Sequence, residues 1–207
     1  MDKRALASRI YPRHSRFVEL LNKNPLFQQY VRSAFKNAKP RFSATALSRF
    51  WSSESTPETP FCSGLESNSH PESRFIGFDT FEGLPERWTD EVGVGAFSTQ
   101  GRVPQTNDSR ICFVKGLFQN TLRPFLKSFR PSHRLIVHVD CDLYTGALFA
   151  LASLDEYLPK DSIVLFDEFN DLEGEFAAWS DYRRAFYREA NGLAFTPNYS
   201  QVALRVA

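Results

Sequence analysis

The sequence predicts an α/β protein: a mainly parallel, doubly wound sheet in a three-layer sandwich, with an antiparallel hairpin at its C-terminal end. Three observations predict it. From residue 74 onward, apolar runs of strand length alternate with segments of helix length. Two of these runs, Leu135 to Val139 and Ile163 to Phe166, are joined by a helix-like stretch from about Thr145 to Tyr157 and the turn Leu158-Pro159-Lys160-Asp161. Strands joined through a helix lie parallel, because the crossover returns the chain to the same edge. Finally, Leu193 to Phe195 and Val202 to Val206 flank the turn Thr196-Pro197-Asn198, the pattern of a hairpin closing a sheet edge.

The N-terminal elements come first. Between Ser15 and Lys36, Phe17, Leu20, Leu21, Phe27, Tyr30, Val31 and Phe35 recur at helical spacing, interrupted by Pro25. This predicts two short helices, or one broken at Asn24-Pro25. They could cover a sheet edge or supply a subunit contact, which is the route to a homo-oligomer. From residue 43 to 73, Ser, Thr and Pro crowd the chain and no period persists, although Ala44 to Trp51 is long enough for a short helix. Composition reads this segment as a surface loop.

Order returns at Arg74. RFIGF is a strand ending in Asp79, and the turn TFEGLPERW follows it. Residues 91 to 107 read as a loop; Gly93-Val94-Gly95 is too short for a phosphate-binding fingerprint. Arg110 to Val114 is a second strand, closed by Lys115-Gly116, and Leu117 to Phe129 is a helix with Pro124 expected near its first turns. After the two strands already described comes an aromatic-rich amphipathic helix from Phe176 to Ala190, carrying Trp179, Tyr182, Phe186 and Tyr187.

Length and composition bound the function. A chain of 207 residues fits one domain: residues 1–38 helical, 39–72 a Ser/Thr/Pro-rich segment, 73–207 the ordered core. With 25 basic and 24 acidic side chains, nothing calls for nucleic acid or an anionic membrane. No apolar run approaches the roughly 20 residues of a membrane span, and the start lacks the apolar core of a signal peptide. Cys62, Cys112 and Cys141 are odd in number and lack CxxC spacing, which points to a reduced, cytoplasmic protein without a zinc site. The 20 phenylalanines suit a well-packed core but name no ligand.

The chemistry lies in acids at strand ends. Asp140 closes one strand; Asp167 and Glu168 close the next. Neighbouring parallel strands bring such ends within about 5 Å laterally, in the crevice where open α/β sheets bind ligands. Solvated loop acids are one reading. The other is a cation site, since like charges held close destabilise one another unless a divalent ion intervenes. Oxygen ligands alone favour Mg²⁺, Ca²⁺ or Mn²⁺. Asp142 and Asp171 rank as loop or cap residues. His138, within an apolar strand, reads as a core histidine before a ligand, and Tyr144 either lines the cleft or packs. Asp79 also has two readings: a carboxylate that accepts from both ribose hydroxyls of a nucleoside, or a cap of its own turn.

Several segments together resemble one family. FIGFDTFEGLPERW, GAFSTQGR, FVKGLFQNTL, HVDCDLY and IVLFDEFND are similar to the macrocin O-methyltransferases, class I enzymes that use S-adenosylmethionine and a metal. The resemblance runs from about Ser73 to Val206. It implies a methyltransferase-like sheet and methyl transfer to a hydroxyl of a sugar or natural-product small molecule. It implies Mg²⁺, or another divalent cation, on Asp140, Asp167 and Glu168. Asp140 and Asp167 lie 27 residues apart, consistent with the family's metal-binding Asp after the fourth strand and acidic pair after the fifth. Glu168 stands where the family commonly has Asp, one methylene longer. Asp140 would take the hydroxyl proton. Asp79 would bind the cofactor ribose, Thr80 and Phe81 would lie beside the adenosine, and Gly116 to Phe118 would form an adenine wall. The expected partner is a hydroxylated small-molecule acceptor, with no nucleic acid and no membrane.

The sequence departs from the family in one place. A Gly-rich turn after the first strand should lie about 20 to 30 residues before Asp79. The first glycine of the chain is Gly64, and Arg41 to Ala44 is the best remnant of the strand. Three accounts fit: a divergent cofactor loop, a degenerate homologue kept as a binding or scaffold protein, or residues from about 39 to 68 read in an altered frame. A hydrolase using the acid cluster and a bound water is a further reading, which the FDTFEGLP turn opposes.

Overall fold

The structure is a computed structural model that describes residues 24–36, 73–131, 135–196 and 198–207. The expectations for Ser15 to residue 23, for a first strand near Arg41, for a helix from Ala44 to Trp51 and for the Ser/Thr/Pro-rich segment lie outside the described residues. The described residues fall into two units, one from 73 to 127 and one combining 24–36 with 128–207.

In the first unit, β1 (Phe75–Asp79) pairs in parallel with β2 (Ile111–Lys115), in a register running from Phe75 opposite Ile111 to Asp79 opposite Lys115. Both strands therefore end level. The loop between them is tied to itself: Leu84 N donates to Ala96 O at 3.0 Å, and Gly101 N to Phe81 O at 2.7 Å. Helix α2 (Phe118–Leu126) rests on β1, with Phe125 edge-on to Phe78 at 5.2 Å. Pro124 lies in its second turn and not near its start. There it removes the N–H that would bond four residues back, and the helix stops two residues later, short of the expected Phe129.

In the second unit, β3 (Ile136–Val139), α3 (Tyr144–Leu154), a 3₁₀ turn (Asp155–Tyr157) and β4 (Ile163–Phe166) form a parallel crossover. Then come α4 (Glu175–Ala185), β5 (Ala190–Phe195) and β6 (Val202–Val206). The strand order is β3-β4-β6-β5, with β6 antiparallel to both neighbours. Sheet pairing thus joins two parallel strands in the first unit and a mixed four-stranded set in the second.

Pro25 starts a helix here. In α1 (Pro25–Ala34) it occupies the first turn, where a missing N–H costs nothing. Asn24 caps the helix, its Oδ1 accepting from Phe27 N at 2.9 Å. The expected break is therefore an N-terminus. Phe27 is buried among the rings of Phe169, Phe176 and Tyr199, with Phe176 edge-on at 4.9 Å. Phe35 lies across β5, where a Cβ on Gly192 would stand 2.2 Å from its ring, so only glycine fits.

Helix α4 is shorter than its aromatic pattern suggests. Phe176, Trp179 and Tyr182 are buried, but Phe186 and Tyr187 are exposed. The chain leaves the helix through Tyr187 in the left-handed region, at φ 53°, and turns into β5. That turn delivers Arg188 to Asp155. Its Nε and Nη2 donate to the two carboxylate oxygens at 2.7 and 3.0 Å, and Tyr182 Oη donates to Oδ1 at 2.6 Å. No described helix is long and apolar enough to cross a membrane.

Burial pushes the Asp155 carboxyl up, but the hydrogen bonds from Arg188 and Tyr182 outweigh it and hold it below its ordinary 3.8. The proton is therefore bound more weakly in the folded than in the unfolded chain. The stability this confers is present above 3.8 and is lost as pH falls through the lower folded value. Arg188→Ala is expected to lower unfolding free energy at neutral pH by about 1–3 kcal/mol, measured by urea denaturation. The gap between wild type and variant closes as pH falls below 3.8.

Candidate metal and active site

The carboxyl ends of β3 and β4 are level. Val139 pairs with Phe166, and Asp167 N donates to Val139 O at 3.2 Å as the last rung. The residues that follow both strands therefore emerge side by side. After β3 the chain turns sharply: Asp142 takes a left-handed conformation, φ 61°, and Leu143 N donates to Cys141 O at 2.6 Å. Asp tolerates that conformation better than most residues. The turn carries the Asp142 side chain inward, leaving it 4% exposed.

One carboxylate oxygen from each of Asp140, Asp142 and Glu168 lies within 4.8 Å of the others. The structure thus brings Asp140 and Glu168 together and adds Asp142, which the sequence ranked as a loop residue. The signal was the Asp-x-Asp spacing in HVDCDLY. Asp167 stands outside this group, and its Oδ1 accepts from Gln201 Nε2. Asp171 caps its own turn, accepting from Glu173 N and Gly174 N, each at 3.1 Å. Tyr144 Oη donates to Asp181 Oδ2 at 2.9 Å, which raises its pKa, so the ring is tied to α4. His138 pairs with Leu165 in the ladder and is not a member of the acid group.

The group is electrostatically loaded. Burial, then the charges of Asp167, Asp140, Asp142 and Glu175, push the Glu168 carboxyl well above the usual carboxylate range. Its Oε2 is buried with no hydrogen bond among the described residues. Glu175, fully buried, is pushed up as well, by burial first and by Asp140 next. Its Oε1 accepts from Cys141 N at 3.4 Å and its Oε2 from Glu168 N at 3.1 Å. Sequence reading missed Glu175, because nothing in a helix start announces a buried acid. The Cys141 thiol is raised by burial and by these charges, so it stays protonated and unreactive. Three convergent carboxylates, one with a buried unbonded oxygen, fit a hard divalent cation such as Mg²⁺.

The other expected residues lie in the first unit. Asp79 ends β1 exposed, and its Oδ1 accepts from Phe81 N, which is the turn-capping role. Among the described residues its Oδ2 has no hydrogen bond. Thr80 Oγ1 donates to Gly83 O at 3.0 Å. Phe81 is buried edge-on against Phe113, so its ring belongs to the unit's packing. Gly116 N donates to Asp79 O at 2.8 Å, and Phe118 opens α2, half-buried. Asp79 and Gly116 therefore sit together at the level ends of two parallel strands, with Phe118 just beyond.

Mg²⁺ is expected to raise the melting temperature of the wild type, since a ligand at 100 times its Kd adds about 2.7 kcal/mol. Asp142→Ala loses this response while Asp171→Ala keeps it. In chelator, Asp142→Ala melts no lower than the wild type, because one buried like charge is gone. A wild-type melting curve indifferent to millimolar Mg²⁺ would sink the cation reading.

Comparison with known proteins identifies the family and the fold. The family model described as Macrocin-O-methyltransferase (TylF) matches residues 61–191, more than half of the chain. Among solved structures, CalS11, a calicheamicin methyltransferase, superposes with a TM-score of 0.52 at 23% identity, covering 92% of this chain and 90% of that one. The O-methyltransferase NovP superposes with a TM-score of 0.50 at 18% identity over 70% of this chain, which spans 63% of NovP. These likenesses show a shared mixed α/β fold. No sequence relative is found among curated proteins. On the extent of the family match, the chain belongs to the macrocin O-methyltransferase family.

Proposed function

We propose that this chain, acting as one methyltransferase domain, transfers a methyl group from S-adenosylmethionine to a hydroxyl of a sugar or other hydroxylated natural product. The observation that carries the reading is the convergence of Asp140, Asp142 and Glu168 at level strand ends in a member of an O-methyltransferase family. The likeness to a calicheamicin methyltransferase supports a natural-product acceptor.

Asp140, Asp142 and Glu168 would hold a divalent cation, which when bound lowers the pKa of a hydroxyl that it contacts. Asp167, braced by Gln201, adds negative charge beside them and is the next candidate ligand. Asp140 is half-buried at the end of β3, and a carboxylate oxygen there accepts the hydroxyl proton. The deprotonated oxygen would then be the nucleophile, and S-adenosylmethionine, when bound, would supply a sulfonium methyl group whose S–C bond breaks as the O–C bond forms, leaving as the neutral thioether. What the protein contributes is chiefly orientation. In the first unit, Asp79 Oδ2 suits a ribose hydroxyl, since an ionised carboxylate is an acceptor with two oxygens and only one serves its turn. Thr80, the backbone of Phe81, Gly116 and Phe118 complete the candidate cofactor contacts.

One observation favours a second reading. The chain has no glycine before Gly64, where the family's cofactor turn is expected. Without glycine, backbone cannot easily make that turn or approach a ligand so closely. On this reading the protein is a catalytically impaired homologue that acts by binding a partner.

Titration of the intact chain with S-adenosylmethionine, with and without Mg²⁺, separates the two. The enzyme reading expects the cofactor to raise the melting temperature, and Asp79→Ala to abolish that rise. Asp140→Asn should keep the rise but lower the rate of methyl transfer by about 10²- to 10⁴-fold. No rise at millimolar cofactor would leave the binding-protein reading standing.

A further inference from the structure

The β3–β4 ladder ends just before the residues of the acid group, Asp140, Asp142 and Glu168. Its last rung is Asp167 N to Val139 O. Beyond that point the two chains separate, one into the turn that carries Asp142 and the other toward α4. Yet one amide on each side, Cys141 N and Glu168 N, donates to the same side chain. Glu175 Oε1 accepts from the first at 3.4 Å and Oε2 from the second at 3.1 Å. The carboxylate thus replaces the missing rung between the two acid-bearing loops.

The approach of Glu175 is tightly built. Asp171 N donates to Glu168 O at 2.8 Å, and Asp171 Oδ1 receives Glu173 N and Gly174 N. Gly174 passes so near the other loop that a Cβ there would stand 3.0 Å from Asp142 O and 2.4 Å from Asp171 Oδ2. The first turn of α4 is therefore referenced to Asp142 on one side and to Glu168 on the other. A carboxylate suits this position because both its oxygens accept; a glutamine would turn an NH₂ group toward one of the two N–H donors. Stability alone does not favour the choice, since it adds a fully buried acid beside three others.

We propose that Glu175 is a positioning residue for the acid group: its buried carboxylate holds the Asp140–Asp142 loop and the Glu168 loop at the separation where three carboxylates share one cation. The inference rests on the cation reading of the proposed function and deepens it. Glu175 touches neither cation nor substrate; it acts through the backbone of its neighbours.

The test is direct uptake of Mn²⁺ by the full chain, followed by electron paramagnetic resonance. Glu175→Gln is expected to weaken Mn²⁺ binding about 10- to 100-fold. Trp179→Phe, which trims a buried ring one turn along the same helix, serves as the control for plain destabilisation. It should change the melting temperature and leave Mn²⁺ affinity at the wild-type level. Wild-type affinity in Glu175→Gln, or an equal loss in Trp179→Phe, overturns the inference while leaving the cation site intact. Amide hydrogen exchange on the metal-free wild type needs no variant: Cys141 and Glu168 should exchange as slowly as the rungs of β3 and β4. Fast exchange at either amide also overturns it. Wild-type protein that takes up no Mn²⁺ removes the cation from the proposed function, and this inference with it.

Discussion

The level ending of β3 and β4 is the constraint on which the second unit turns. Parallel pairing in register, with Val139 opposite Phe166, fixes where both chains leave the sheet. Every acid of the candidate site sits within a few residues of that point. Behind it the packing is almost wholly apolar and aromatic: Phe166, Phe169, Phe176, Trp179 and Tyr182 are buried together. Such a core cannot screen charge, so the repulsion among the carboxylates has to be met locally. Backbone N–H donors meet part of it, at Glu175. A bound cation would meet the rest.

Much of this was legible in the residues. The strand–helix–strand unit from Leu135 to Phe166 has the right lengths and breakers, and the structure places its strands where the apolar runs are. Asp140 and Glu168 could be assigned to one end because crossover connections leave no other geometry. What could not be read depends on single backbone torsions or on distant partners. Asp142 joins the acid group because its φ is 61°, and nothing in a tripeptide spacing dictates that. Asp167 turns to Gln201, 34 residues later, in the bend just before a strand that pairs only after the chain has doubled back. Tyr187 ends α4 in mid-stripe, although the aromatic period continues through it. Pro25 heads α1, as the reading of a second helix after Asn24 allows, while Pro124 falls deeper in α2 than expected: a proline's effect depends on which turn it occupies, and sequence places helix ends only to within a few residues.

The first unit shows the same division. Its two strands follow from their apolar runs, but their level ends and the fate of Asp79 do not. One oxygen of that carboxylate caps the turn at Phe81, and the exposed position leaves the other available. The two readings offered for an acid at a strand end, turn cap or ribose acceptor, are therefore compatible, because a carboxylate has two oxygens and the turn needs one. Phe81 makes the opposite point. A ring that the family resemblance placed beside an adenosine is buried against Phe113 and serves the packing of the unit.

The strand order β3-β4-β6-β5 also governs how the molecule is made. The edge of β4 that faces β6 has no partner until residues 202–206 have been synthesised, some 40 residues after β4 itself. During that interval the nascent chain presents Ile163 to Phe166 as a bare apolar strand, the kind of surface that recruits stray strands.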